Sequence, residues 1–529
     1  MWIFIVAGVL MVLGYWVLNR RLNYWTRKGV PQLKPIFIFG NLWPIISRKL
    51  SPPEFTQEIY NSGQNLRYIG TYQFLRPTLT IRDPELIKQI TVKDFDHFLD
   101  HVGLIDPETD PICGKILFVL NGMEWREMRC TLSPTFTSSK MKYMFSLMSQ
   151  NGEQFIKHFL QKNEDVIEIE MKDVTSRFAN DVIANTVFGF ECDSLKEPDN
   201  QFYTMGKLAT DFANIRTILV FMGYLIMPKL LKFFKVTLFR DKMTNFFGRI
   251  IKENIESREK YGAKRSDMIG LLLDAMRSKH NDDEHSTLPD TGFATVEESE
   301  IGKDQMFRKS ELTDEDIIAQ AFLFFLAGFD SVSSLMCYMS YELGVNQEIQ
   351  ENLRNEVDAT KEKCNGQITY EALNTMKYMD MVLSETLRKW PSAIASDRIC
   401  TKPYTLEPKT PNEKLVHLAK GTVIGIPMYA IQRDPQYYPD PERFDPERFS
   451  YENKNKIVPY TFFPFGLGPR NCIGSRFALM ETKLLFYYIL SNFEIIPIGK
   501  TQIPIRFNRK ALNMSPEKGF WLGLQRRVK

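Results

Sequence analysis

The seven cysteines of this 529-residue chain, at 113, 130, 192, 337, 364, 400 and 472, include no CxxC or CxxxxC pair and are odd in number. Both facts argue against a disulfide framework and against a structural zinc site, and a reducing compartment fits best. An excess of charge of one sign is missing too. The 67 Lys and Arg face 64 Asp and Glu for a net of +3, so there is no bulk attraction to nucleic acid and any charged partner must meet a local patch. No GxGxxG fingerprint follows a strand, which leaves the chain without a nicotinamide or flavin site of its own. Internal repeats are absent as well.

What is present is apolar. Hydrophobic residues make up 44% and aromatics 13%, with 39 Phe and 23 Met, enough for a large core and an adaptable pocket and too much for a disordered chain. Residues 2–18, WIFIVAGVLMVLGYWVL, carry no charge and end at Asn19, Arg20 and Arg21. As a helix they would span roughly 26 Å, which suits a bilayer of about 27 Å such as that of the endoplasmic reticulum. A cleaved secretory signal is the competing reading. Against it, no basic stretch precedes the run, the run is long for a signal, and arginines stand where a small-residue cleavage site would. Because Arg20, Arg21, Arg27 and Lys28 follow the span, the positive-inside tendency puts the amino terminus in the lumen and the remainder in the cytosol. Residues 22–44 carry helix breakers at Gly29, Pro31, Pro35 and Gly40. They read as a basic hinge laying the domain against the membrane, or equally as an ordinary linker.

Residues 45–529 form the catalytic domain in this reading. A short β segment, Leu79 to Arg82, meets Asp83-Pro84-Glu85, where Asp caps and Pro enters the first turn of a helix through Ile90. The run from about 277 to 311 is rich in Asp, Glu, Ser, Thr and Gly without an apolar face, and it should be a mobile loop. From Thr313 to about Leu343 a cap and an acidic first turn lead into a segment apolar nearly all round, the pattern of a long helix buried through the protein. After residue 400, short segments such as Gly421 to Pro427 suggest small sheets. The expected architecture is mainly α with minor β sheets.

The chemistry concentrates at residues 464–478, PFGLGPRNCIGSRFA, a glycine-rich loop around one cysteine that runs into an apolar helix. Glycine permits backbone conformations closed to other residues and lets a flat ligand approach. Cys472 stands near a helix amino terminus with Arg470 two residues before it, where positive potential should favour thiolate over thiol. Phe465, Gly468, Arg470, Cys472 and Gly474 stand at the spacing of the haem-binding loop of cytochrome P450 enzymes, and the chain resembles that family over nearly all of residues 30–525. The flavour is that of animal microsomal members, including insect detoxifying and vertebrate drug-oxidising enzymes, as AGFDSVSS, ETLRKWP and FDPERFS suggest.

The resemblance implies a cytochrome P450 fold and one haem b, iron protoporphyrin IX, with Cys472 as axial ligand, Phe465 near the sulfur and backbone amides bonded to it. It pairs Glu385 with Arg388, three apart on one helix face, completed by Arg448. The overlapping Pro441-Glu442-Arg443-Phe444 competes for that role, though the copy at Phe444–Phe449 matches the family better. Trp125 and Arg129 form its WxxxR, and these with Arg398 and Arg470 would face the propionates, whose buried charge needs cationic partners. Pro134-Thr135-Phe136 and the prolines after the anchor also look microsomal. Ala327-Gly328-Phe329-Asp330-Ser331 matches the oxygen-binding segment except that Ser331 replaces Thr. Gly328 would let a ligand reach the helix, and Asp330 with Ser331 would relay protons. A buried Asp330 without a partner would be costly, so a polar cavity or water chain is expected beside it.

The implied function is an NADPH- and O2-dependent monooxygenase acting on lipophilic small molecules, xenobiotics first and endogenous lipids, hormones or pheromones as the alternative. By family placement the pocket draws on 101–122, 212–234, Phe322–Gly328, Ser392–Ile394 and Leu512–Met514. The stretch ILVFMGYLIMPKLLKFF reads either as a core helix or as a membrane-dipping substrate entrance. Electrons would come from NADPH–cytochrome reductase, with cytochrome b5 as a second donor. Arg126, Lys140 and Lys142 are docking points for an acidic partner or simply a solvated face. A reductase-independent haem-thiolate isomerase or dehydratase, and a haem-binding scaffold without turnover, are the rival readings.

Overall fold

The computed structural model describes residues 1–529 except 104, 106–107, 212, 262–264, 266, 278–292, 295–311 and 528–529. The acidic run expected as a loop at 277–311 lies almost wholly outside the described residues.

The helices that position the site are α1 (Trp2–Leu22), α2 (Gly122–Leu132), α3 (Met171–Ile183), α4 (Ile215–Ile226), α5 (Asp314–Val345), α6 (Lys377–Lys389) and α7 (Ser475–Asn492). The strands are β1 (Tyr68–Gln73), β2 (Arg76–Ile81), β3 (Val166–Glu170), β4 (Ser396–Ile399), β5 (Tyr404–Leu406), β6 (Val416–Leu418), β7 (Val423–Ile426), β8 (Phe493–Ile496) and β9 (Trp521–Arg526). They make small sheets in the orders β1-β2-β7-β4, β3-β9-β8 and β5-β6. In the first sheet β2 runs parallel to β7, with Leu79 opposite Ile424, and the other neighbours are antiparallel.

α5 forms where the sequence says it should. Thr313 caps it, accepting from the Asp316 amide at 3.2 Å, while the Asp316 carboxylate accepts from the Thr313 amide at 2.9 Å. This reciprocal pair satisfies amides the first turn cannot. Phe322, Phe325, Phe329, Leu335 and Met336 are buried along it. Its middle loosens into a π-helical turn over Gly328–Val332, a local widening that is frequent at functional sites. A Cβ on Gly328 would lie 2.9 Å from the Ile183 side chain, so the missing side chain here permits close packing of α5 on α3.

Two apolar cores result. The larger is helical and surrounds α5; the smaller lies against the β1-β2-β7-β4 sheet and includes Leu79, Ile424 and Phe463. α1 stands almost entirely exposed, consistent with an anchor in a membrane. The segment after it does not swing free. Trp25 is 0% exposed in the smaller core, its indole lies against Gly70, and Val30 is buried beside it. Gly70 donates its amide to the Pro31 carbonyl at 2.8 Å.

Candidate functional site

The loop after Phe463 is threaded between the two cores. Phe462 and Phe465 pack against the helical core, whereas Phe463 and Leu467 pack against the sheet core. Gly466 and Gly468 turn it with φ of 78° and 67°. At Gly468 a Cβ would stand 1.8 Å from the Thr91 carbonyl oxygen, so no other residue fits. Cys472 then donates its amide to the Phe465 carbonyl at 2.8 Å, which sets the cysteine above the phenylalanine.

The Cys472 side chain is surrounded by protein yet retains accessible surface, while Asn471 and Ser475 beside it are buried. Ala327 in α5 is likewise accessible between buried Phe325 and Phe329. Accessible surface inside a buried stretch describes side chains that face an interior hollow. The Gly474 amide bonds to the sulfur and Arg129 adds positive potential, both favouring thiolate, but burial dominates and pushes the thiol up. The positive potential expected at the sulfur is present, supplied here by Arg129 and the Gly474 amide, and burial acts against it. Among the described residues no cluster of three or more His, Cys, Asp or Glu could hold a metal ion. Iron bound at this sulfur would have to bring most of its own ligands.

Around the loop converge cations. Trp125 of α2 is 1% exposed, and the Arg470 guanidinium lies 4.1 Å from its ring centre. Arg470 also donates to the Leu99 and Leu120 carbonyls at 2.9 and 2.8 Å. Arg129, on the next turn of α2, grips Asn471 through its carbonyl at 2.9 Å and its side chain at 2.7 Å. Arg398 of β4 reaches the Leu467 carbonyl at 3.3 Å, and its buried Nε has no hydrogen-bond partner among the described residues. Burial pushes the Arg398 guanidinium down to about 10; burial, and then the charge of Arg398, push Arg470 down to about 9. The nearby carboxylates are few. Asp100 stands 3.7 Å from Arg470, and Asp397 is already taken by His101 and the Val102 amide at 3.2 and 2.6 Å. A cradle this short of negative charge fits a buried dianion such as the propionates of haem.

The loop's support is also built. Glu385 and Arg388 of α6 pair at 2.7 and 2.8 Å with 0% side-chain exposure. Arg448 stands 3.5 Å from Glu385, and the Asp445 amide donates to Glu385 at 2.9 Å. Arg443 is exposed, which decides between the two PERF segments. Arg388 donates to the Gln432 carbonyl at 2.9 Å, and the Gln432 side chain accepts from the Phe463 amide at 3.1 Å. Gln432 thus links the ion pair to the start of the cysteine loop.

Asp330 departs from expectation. Its carboxylate is paired with Lys172 of α3 at 2.8 Å, and the same ammonium donates to the Asp330 carbonyl and to Ser333 and Ser334. The polar surroundings expected at Asp330 are thus supplied by a lysine. The Ser331 hydroxyl donates to the Ala327 carbonyl at 2.5 Å. Lys172, Gln432 and Asn471 escaped the sequence reading. Lys172 lies 158 positions from Asp330, and no local pattern signals the pair.

α4 settles an ambiguity. Only Val220 and Tyr224 of it are buried, and Ile215, Leu219 and Ile226, followed by Met227, Leu230, Phe233 and Phe234, are exposed. The core-helix reading is overturned, and a broad apolar surface faces outward beside the anchor. Arg126 and Lys142 are in surface ion pairs with Asp96 and Glu371 at 3.2 and 2.5 Å.

Comparison with known proteins agrees with this geometry. The chain is 43% identical to cytochrome P450 9e2 of Blattella germanica, covering 100% of this chain and 98% of that protein. It is 39% identical to probable cytochrome P450 9f2 of Drosophila melanogaster over 96% and 95% of the two chains. A third relative is cytochrome P450 6k1 of Blattella germanica, 36% identical over 97% and 95%. The cytochrome P450 family pattern matches residues 30–522, and the chain belongs to that family of haem-iron monooxygenases.

Proposed function

We propose that this monooxygenase uses NADPH and O2 to oxidise lipophilic xenobiotics, such as plant toxins and insecticides, at a haem b bound through Cys472. The observation that carries the assignment of the site is the set of buried arginines around the Cys472 loop, with too few carboxylates to balance them. Trp125, Arg129, Arg398 and Arg470 would hold the propionates. Phe465, Gly468 and Gly474 shape the loop that carries the sulfur, and Ala327 and Gly328 of α5 would line the space the cofactor takes. The cofactor supplies oxygen activation when bound, and the thiolate tunes it by electron donation.

The rest falls to the chain. Asp330 and Ser331 move protons, which requires the Asp330 carboxylate to loosen from Lys172 and the Ser331 hydroxyl to leave the Ala327 carbonyl. Serine keeps the hydroxyl of the usual threonine but loses the methyl that restrains its rotamer. Electrons come from NADPH–cytochrome reductase, with cytochrome b5 as a second donor. α1 anchors the protein in the endoplasmic reticulum with the catalytic domain in the cytosol, and the outward apolar face of α4 suits lipophilic substrates arriving through the membrane.

Two measurements test this. The reduced, carbon monoxide-treated protein should show a red-shifted Soret band that Cys472→Ala abolishes; an unchanged band in the variant refutes the ligand. Reconstituted with reductase, the enzyme should oxidise several lipophilic toxins. Turnover confined to one fatty acid or hormone would instead place it in endogenous lipid metabolism.

A further inference from the structure

A cavity of ≈ 690 Å³ lies where the end of α1 meets the β1–β2 turn and the end of α4. Its walls carry Arg20, Arg21, Arg27 and Arg76, and no acidic side chain lines it. Among the described residues none of these arginines is in an ion pair. Arg27 is turned back on the carbonyl of Arg20 at 2.8 Å, and Arg20 stacks on Trp16 with 5.3 Å to the ring centre. Arg76 is half-buried on the catalytic side of the groove, and burial pushes its guanidinium down. Apart from Gln73 and Tyr24 the remaining lining is apolar and includes Val17, Leu225 and Ile226.

We propose that this groove binds the phosphate headgroup of one anionic phospholipid, with the start of its acyl chains against Trp16, Val17, Leu225 and Ile226. The proposal rests on the reading of α1 as a membrane anchor, which puts the groove at headgroup depth. Charge complementarity names the ligand. Guanidinium forks match phosphate oxygens two at a time, and a site with cations at one end and an apolar wall at the other suits an amphiphile better than a free ion. The volume lies within the usual range for small-molecule sites, about 300–1,000 Å³. Anionic leaflets concentrate such lipids at juxtamembrane basic residues. Because the groove joins the anchor to β1, β2 and α4, a bound lipid would fix the tilt of the catalytic domain on the bilayer.

The test is native mass spectrometry of the full-length, haem-loaded protein in non-ionic detergent, titrated with phosphatidylglycerol or phosphatidylcholine. The wild type should retain one phosphatidylglycerol at about tenfold lower lipid concentration than phosphatidylcholine, a gap of ~1.4 kcal/mol. Combining Arg21→Gln with Arg76→Gln should close that gap, while Lys34→Gln, in the same basic stretch but outside the groove, should leave it. Circular dichroism checks that the variants fold. Equal retention of the two lipids, unchanged retention by the double variant, or displacement of the lipid by equimolar inorganic phosphate would each overturn the site. Flotation on neutral phosphatidylcholine vesicles separates the premise from the proposal. Wild-type protein that does not float refutes the anchor and the lipid assignment with it, whereas protein that floats but does not prefer phosphatidylglycerol refutes the groove alone.

Discussion

Gly468 leaves no latitude. Left-handed backbone costs a side chain on the order of 1–2 kcal/mol, and the Thr91 carbonyl occupies the place a Cβ would take. Gly468→Ala should therefore reduce recovery of haem-loaded protein at least about tenfold, read from the carbon monoxide difference spectrum per milligram purified; normal loading would show that the loop tolerates the change. Lys172 would be a positioning residue of a different kind, acting through the proton relay proposed for Asp330. Lys172→Met frees the carboxylate from its ammonium, and we expect more hydrogen peroxide released per NADPH consumed, with the carbon monoxide spectrum intact. Peroxide yield equal to wild type would make the lysine merely structural. Cys472 and its loop neighbours were legible in the sequence because they are contiguous. Lys172 and Gln432 were not, since each meets its partner only through tertiary packing.

Elements were legible to the extent that their signals are local. The cap at Thr313 and the acidic turn after it announce α5, and Asp83-Pro84 announces the helix it caps by accepting from the Glu85 amide at 3.0 Å. The side of α4 that faces solvent could not be read, because an apolar helix near a membrane has the composition of a core helix. α7 contains a second surprise. Glu481 is 0% exposed, neither carboxylate oxygen has a hydrogen-bond partner among the described residues, and burial raises its pKa well above the ordinary 4.5. The folded state then binds a proton that the unfolded chain releases, so this group's contribution to stability falls as pH rises above about 4.5. Glu481→Leu should stabilise the fold by ~1–3 kcal/mol at neutral pH and by less at pH 5, measured by urea unfolding at both. Equal gains at the two values would mean that the carboxyl is not the cause.

At the scale of the molecule, the smaller core reaches back towards the anchor. Deleting residues 1–21 removes α1 but spares Trp25, and the shortened protein should stay folded while leaving the membrane with mild salt or detergent. Trp25→Ala in the full chain opens a cavity against Gly70 and should cost about 3–5 kcal/mol, visible as a lowered unfolding temperature. If both changes were equally harmless, the segment after the anchor would be a plain tether. The loop around Cys472, proposed to cradle the haem, is threaded between the two cores. Phe462 and Phe465 hold it from one side, Phe463 and Leu467 from the other, so its shape depends on both halves. With the haem seated there as proposed, we expect porphyrin capture to come late in biogenesis, and loosening of either half to let the pigment go.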